Sequence, residues 1–221
     1  MGTDVLEWGQ ADTMDLGHPI STIAPPLIAR VLEVLGGTTR PLTGREIGKI
    51  IGEGSPNGVW KALNRLEEQG VALADHRSRA TYYVANREHI AWPAIGALMQ
   101  LRGDLTARLR GEVERWNIAA IHASIFGSTA RGEADQNSDV DILLVRPDNL
   151  SNTDAETWDV QVSAVREAVR RWTGNPCQTL VVDTLRLGEH VRAQDPLVRA
   201  WLDDEILLTG TPLRDLIEAI Q

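Results

Sequence analysis

Residues 121–145 read IHASIFGSTARGEADQNSDVDILLV, and this stretch decides how the C-terminal half of the chain folds. Apolar residues predict one strand over 118–126 and another over 140–145. The first strand ends in Gly127-Ser128, and Asp139 follows Ser128 by eleven residues. Side chains alternate along a strand, so Asp139 and Asp141 are expected on the same face. Two neighbouring carboxylates repel each other unless a cation lies between them, and Mg²⁺ prefers such oxygen ligands.

The turn between the two strands is predicted to bind phosphate. Gly127 lacks a side chain, which leaves room for a phosphate to approach the backbone. Ser128 offers a hydroxyl and an amide at the expected start of a short helix, where anions are favoured. The residues thus predict a divalent cation at the carboxylates with a substrate phosphate beside it.

This pattern resembles the nucleotidyltransferase superfamily of polymerase β type, in particular its minimal (MNT) branch. The Gly-Ser turn, the Asp-x-Asp pair and Ala130-Arg131-Gly132 all match the family pattern. Over residues 118–210 the resemblance implies a small mixed sheet, ATP or another NTP as donor, and two Mg²⁺ ions, with Mn²⁺ as a substitute. It also implies that Arg131 contacts the triphosphate, with a surface salt bridge as the alternative interpretation of this residue.

The same resemblance implies a third carboxylate on a neighbouring strand. Asp183 ends the predicted strand over 178–183 and matches that position. We expect it to act as general base toward an acceptor hydroxyl or to ligate the second metal. The ions of a two-metal site lie about 4 Å apart, so an Asp183 more than about 8 Å from both other aspartates could not share it.

Residues 25–91 are predicted to form a separate domain of three helices and a β-hairpin. Pro26, a Thr43–Glu46 capping box and Ser55-Pro56 mark the three helix starts. The order resembles a winged helix-turn-helix domain, which implies DNA binding. The expected contacts come from the polar face of the third helix and the hairpin tip: Asn57, Lys61, Asn64, Arg65, Arg77 and Arg79.

A protein-interaction module is the alternative for residues 25–91. Residues 20–90 carry nine basic and seven acidic side chains, which is a weak positive balance for a DNA-binding domain. Trp60 also falls near the edge of the polar face, where a DNA reader more often has a small or polar residue.

The remaining segments complete an α+β organisation. Residues 1–24 are predicted as an irregular lead-in, 92–117 as a linker helix and 118–221 as the nucleotidyltransferase domain. Cys177 is the one cysteine, which excludes an intramolecular disulfide. No apolar run approaches the ~20 residues that span a bilayer, so a cytoplasmic protein is expected. His122, in the middle of a predicted strand, and the helical tryptophans are interpreted as packing residues.

The sequence thus predicts a Mg²⁺-dependent enzyme that transfers a nucleoside monophosphate, AMP from ATP in the first instance, to a hydroxyl of an unknown acceptor. The family resemblance implies a toxin–antitoxin setting in which that acceptor is a partner protein. A homodimer is expected from the winged-helix resemblance. The rival interpretation is a DNA-binding regulator whose C-terminal domain senses a nucleotide without turnover.

Overall fold

The computed structural model describes residues 13–220, and they divide into two compact units. His18–Leu101 form the N-terminal unit. Residues 13–17 and 102–220 form the C-terminal unit. Within the described residues, no helix has the length and apolar character needed to cross a bilayer.

Helices and a small sheet enclose the core of the N-terminal unit. Its helices are α1 (Pro26–Gly36), α2 (Gly44–Ile51), α3 (Pro56–Glu68) and α4 (Trp92–Met99), after a short 3-10 helix at Pro19–Thr22. Its strands are β1 (Leu42–Thr43), β2 (Ala72–His76) and β3 (Thr81–Ala85), which form an antiparallel sheet of order β1-β3-β2.

Local signals account for these helix boundaries. The capping box at the start of α2 is confirmed: the Thr43 hydroxyl accepts from the Glu46 amide, and the Glu46 carboxylate accepts from the Thr43 amide. The Ser55 hydroxyl caps α3 by accepting from the Gly58 amide at 3.1 Å. These caps satisfy amides that have no partner within the helix.

A mixed four-stranded sheet lies at the centre of the C-terminal unit, as predicted. Its strands are β4 (His122–Phe126), β5 (Val140–Val145), β6 (Cys177–Val182) and β7 (Ile206–Gly210), in the order β6-β5-β4-β7. Only the β5–β6 pair is parallel; the other two pairs are antiparallel. Its helices are α5 (Leu101–Val113), α6 (Gly127–Arg131), α7 (Asn152–Thr173), α8 (Thr184–Arg192), α9 (Pro196–Asp204) and α10 (Leu213–Ile220).

The linker between the units differs from the prediction, and the lead-in is docked. The single helix expected over 92–117 is two helices, because α4 ends at Met99 and α5 begins at Leu101. Residues 1–12 of the lead-in lie outside the described residues, but from Thr13 onward the segment is held in place. The Met14 amide donates to the Asn175 side chain at 3.0 Å, and Leu16 is buried in the core of the C-terminal unit. Isolated apolar residues without a period gave no sign of this docking.

His122 is a buried packing residue, as predicted. Its Nδ1 lies 2.8 Å from the Thr211 carbonyl oxygen and therefore donates to it. Its Nε2 then accepts from the Ser124 hydroxyl at 2.8 Å. Burial lowers the pKa of His122, against the opposing effects of the Thr211 hydrogen bond and the charge of Glu205. The neutral ring therefore joins β4 to the residue that follows β7.

Candidate active site

Gly127 is required by two features of the turn that follows β4. Its φ is +72°, a conformation that other L-residues adopt only with strain. A Cβ atom at this position would also lie 2.7 Å from Oδ2 of Asp141. The bare backbone thus passes directly beside a carboxylate, and no larger residue fits there.

β5 carries the paired carboxylates to this turn. Antiparallel pairing places Asp141 opposite Phe126, the last residue of β4. Burial raises the pKa of Asp141, the negative charge of Asp139 raises it further, and the positive charge of Arg131 opposes both. The two aspartates are therefore close enough to repel each other, and a cation bound between them would relieve that repulsion.

Asp139 is anchored by neighbours on both sides. Its side chain accepts a hydrogen bond from Nε2 of Gln178 on β6. The buried hydroxyl of Thr129, in α6, donates to its carbonyl oxygen at 3.3 Å. These contacts fix the position of Asp139, the residue that precedes β5. Oδ1 of its carboxylate makes no hydrogen bond in the described part of the chain.

The two other residues of the predicted phosphate site lie in α6. Ser128 is half-buried, and its hydroxyl makes no hydrogen bond within residues 13–220. Arg131 donates through Nε to Glu133 at 2.7 Å and through Nη1 to Asp204 at 2.5 Å. Its Nη2 forms no hydrogen bond within the same residues, so this nitrogen remains available for a ligand.

The assignment of Asp183 to this site was wrong. β5 and β6 run parallel, with Asp141 beside Gln178 and Val145 beside Val182. Asp183 lies five residues beyond Gln178, which at ~3.3 Å per residue is about 17 Å along the strand. The aspartate pair is at the start of β5, whereas Asp183 follows the end of β6, and in a parallel pair these are opposite edges.

Asp183 has a structural role where it lies. Its carboxylate caps α8 by accepting from the Arg186 amide at 2.9 Å, and it accepts from Arg146 at 3.4 Å. The Arg186 hydrogen bond and Arg146 lower its pKa. A carboxylate with a lowered pKa is a poor general base. The role of Asp183 in this structure is to cap α8.

Gln178 occupies the place on β6 that lies level with Asp141. An amide at this point donates to Asp139 and carries no negative charge. Within the described residues, no group of three His, Cys, Asp or Glu side chains is arranged to hold a metal ion. The protein ligands gathered at this edge of the sheet are therefore two carboxylates.

Sequence reasoning missed Gln178 and Asp204. Gln178 could have been found from the parallel pairing, because the first residues of β6 lie beside the first residues of β5. Asp204, whose side chain is only 9% exposed, ends α9 and reaches Arg131 across 73 residues of sequence. No local pattern marks that contact.

The residues predicted to contact DNA lie in the N-terminal unit on two surfaces. On α3, Asn57, Lys61 and Arg65 are exposed and Asn64 is half-buried. At the hairpin, Arg79 is exposed, whereas Arg77 is paired with Asp75 at 2.8 Å and lies over the Tyr82 ring. Arg77 is thus already engaged, and Arg79 is the freer of the two.

Residues 107–186 match the protein family described as nucleotidyltransferase domain. This segment contains Gly127, Ser128 and the paired aspartates. The candidate site thus lies within the part of the chain that matches the nucleotidyltransferase domain family. No curated protein sequence matches the chain.

Two solved structures are similar to part of the chain. One, a mutant of the toxin–antitoxin MntA-HpeT, has 14% identity and a TM-score of 0.35, and covers 52% of this chain and 82% of that chain. The other, a toxin–antitoxin with AMP-PNP, has 18% identity and a TM-score of 0.34, with coverage of 53% and 82%.

We predict that Asp141→Asn raises the melting temperature by a few degrees in metal-free buffer at pH 7. The substitution removes the like-charge repulsion and the cost of burying a carboxylate. Asp141 has a folded pKa above its unfolded value, so its ionised form costs stability above that pKa. The difference in melting temperature between variant and wild type should therefore shrink as pH falls through the folded pKa of Asp141.

Mg²⁺ or Mn²⁺ should raise the melting temperature of the wild type alone. An equal response of both proteins to metal would contradict a cation site here.

Asp183→Ala should destabilise the protein by about 0.5–2 kcal/mol, because α8 loses its N-cap. Urea unfolding measures this loss. Metal-dependent ATP affinity, followed by calorimetry, should remain within twofold of wild type, since Asp183 is about 17 Å along the strand from Gln178. A loss of ATP binding at unchanged stability would contradict this prediction and indicate that Asp183 belongs to the nucleotide site.

Proposed function

We propose that the C-terminal unit transfers a nucleoside monophosphate, AMP from ATP in the first instance, to an acceptor group. The observation that carries this proposal is the pairing of Asp139 with Asp141 beside the bare backbone of Gly127, inside a nucleotidyltransferase domain. A close pair of carboxylates favours a divalent cation, and the adjacent glycine leaves space for phosphate.

A divalent cation would be held by Asp139 and Asp141, with water and nucleotide phosphates as the remaining ligands. When bound, it supplies neutralisation of charge on the phosphates and polarisation at the reacting phosphorus. The two-ion arrangement expected from the family loses its third protein ligand, because Asp183 lies at the opposite edge. We therefore propose one firmly held ion, and a second only if the nucleotide itself provides most of its ligands.

Ser128 and Arg131 are proposed to hold the phosphates. The Ser128 hydroxyl has no partner within residues 13–220, so it is available to donate to a phosphate oxygen. Glu133 and Asp204 hold Nε and Nη1 of Arg131 and thereby orient the guanidinium, leaving Nη2 for the triphosphate. An arginine held at two nitrogens loses less conformational freedom when it binds phosphate.

Gln178 favours a second candidate function, nucleotide sensing without turnover. A hydroxyl acceptor needs a base, and the amide level with Asp141 cannot take a proton at neutral pH. If transfer occurs, the acceptor oxygen bonds to the α-phosphorus, pyrophosphate leaves, and the hydroxyl proton passes to an aspartate, to a phosphate oxygen or to water. A hydroxyl of a partner protein encoded beside this one is the first acceptor to test, on the family resemblance.

Incubation of the protein with ATP labelled in the α-phosphate, Mg²⁺ and lysate of the source cells separates these functions. We expect label on a macromolecule, and Asp139→Asn should reduce it by roughly a hundredfold or more because cation binding is lost. Asp159→Asn is the matched control, since Asp159 is an exposed aspartate on α7 with no ion pair in the described chain. Metal-dependent ATP binding without any labelled product would establish the sensor, and metal-independent binding would contradict both functions.

We further propose that the N-terminal unit is a winged helix-turn-helix domain that binds DNA as a homodimer. Support comes from the order of α1, α2, α3 and the β2–β3 hairpin, and from the exposed polar side chains of α3. Phosphate contacts by Lys61 and Arg65 release counterions, which makes binding weaken with salt.

Retardation of the upstream DNA of its own gene tests this second proposal. Lys61→Ala and Arg65→Ala should each weaken binding and reduce the salt slope by about one. Asp139→Asn, which alters only the C-terminal unit, should leave retardation unchanged. No retardation of any upstream fragment at low salt would move the unit to the class of protein-interaction modules.

A further inference from the structure

Trp60 exposes an aromatic ring on the surface of α3. Its side chain is 55% exposed, whereas Val59 and Leu63, its neighbours on the inner face, are 2% and 1% exposed. Among the exposed large apolar side chains of residues 13–220, Trp60 is the aromatic one. An indole ring left in water offers a planar face to a ligand.

Two concave surfaces meet at Trp60. The first has a volume of about 660 Å³ between α2, α3 and β3. Its floor includes Val59, Leu63 and Tyr83, its cations are Arg45 and Lys49, and no acidic residue lines it. The second, of about 560 Å³, follows α3 and is lined by Trp60, Lys61, Asn64, Arg65, Glu68 and Gln69. The ring is therefore flanked by cations on both sides.

These cations carry uncompensated charge. Arg45, Lys49, Lys61 and Arg65 are all exposed, and none forms an ion pair in the described part of the chain. Nearby acids are already engaged: Glu46 pairs with Arg40, and Glu67 with His76. Hydrogen bonds from Thr43 and Arg40 lower the pKa of Glu46 to about 2, so it stays ionised within its own cluster. Glu68 is the single acid that lines either concave surface.

We infer that this surface binds single-stranded nucleic acid, with one base stacked on Trp60 and the phosphates on either side held by the four cations. The inference rests on the proposed nucleic-acid role of the N-terminal unit and specifies its ligand. Unpaired bases expose their faces to an aromatic ring, and such stacking tolerates any sequence. Bases in a duplex cover each other's faces and present only edges in the groove. Recognition of base edges does not use the face of an indole ring, whereas stacking on an unpaired base does.

A polymer fits the observations better than a small molecule. Trp60 lines both concave surfaces, and each carries two cations. One mononucleotide would engage one side of the ring, whereas a strand crossing the ring places phosphates on both. An acidic peptide could pair with the cations, but its acidic side chains offer no planar ring to stack on Trp60.

Fluorescence anisotropy of the full chain with labelled oligonucleotides of about ten nucleotides tests the inference, a length within the usual site sizes of such surfaces. We expect an oligothymidylate to bind more tightly than a duplex of equal length, with affinity falling as salt rises. Trp60→Ala should weaken single-strand binding by roughly tenfold or more, and Trp60→Phe should restore most of it. Ile90→Ala is the matched control, because Ile90 is 93% exposed and lines neither concave surface.

The other outcomes are distinct. Duplex and single strand bound equally, with no effect of Trp60→Ala, would overturn this inference and leave the DNA-binding proposal intact. Binding of neither at low salt would overturn both. Displacement of the oligonucleotide by polyglutamate as readily as by unlabelled oligothymidylate would show a site for acidic chains in general, which also overturns it. Trp60→Ala should melt like the wild type, since the side chain is largely exposed.

Discussion

The backbone at Gly127 passes so close to the Asp141 carboxylate that even one additional carbon atom would lie 2.7 Å from it. This close approach follows from the antiparallel pairing of β4 and β5, which sets Phe126 opposite Asp141. A residue with a side chain would have to move either the turn or the strand. The Gly127 turn and the paired carboxylates are thus parts of one arrangement.

The two units differ in the sign of the charge that is concentrated on their candidate binding surfaces. In the C-terminal unit, two carboxylates crowd one edge of the sheet, and Arg131 is already neutralised by Glu133 and Asp204. That edge of the sheet favours a divalent cation that is bound together with the phosphates of a nucleotide. In the N-terminal unit, four cations around Trp60 form no ion pair within residues 13–220, which favours a polyanion. The net charge of −9 conceals this difference, because it sums two opposite local balances.

The parallel register of β5 and β6 has consequences for catalysis. It sets an amide, Gln178, rather than a carboxylate beside Asp141, and assigns Asp183 to the cap of α8. A site with two acidic side chains suits one divalent cation, and on β6 the residue level with Asp141 is an amide and not a base. Cys177, the neighbouring residue on β6, cannot supply one, since burial raises its thiol pKa to about 12.

The sequence by itself determined the elements whose signals are local. The capping box at Thr43, the prolines at helix starts and the apolar period of β5 predicted their elements within a few residues, because caps and alternation act over short distances. The spacing of Gly127-Ser128 and Asp139 also predicted correctly that the turn and the carboxylates lie side by side. The reason is that a short connection joins the two consecutive antiparallel strands. Only the tertiary structure decided which edge of the sheet Asp183 occupies, which residue takes its place, and what holds Arg131. Those contacts join residues 37 to 73 positions apart, and strand direction and helix docking, which set them, leave no mark on the local pattern.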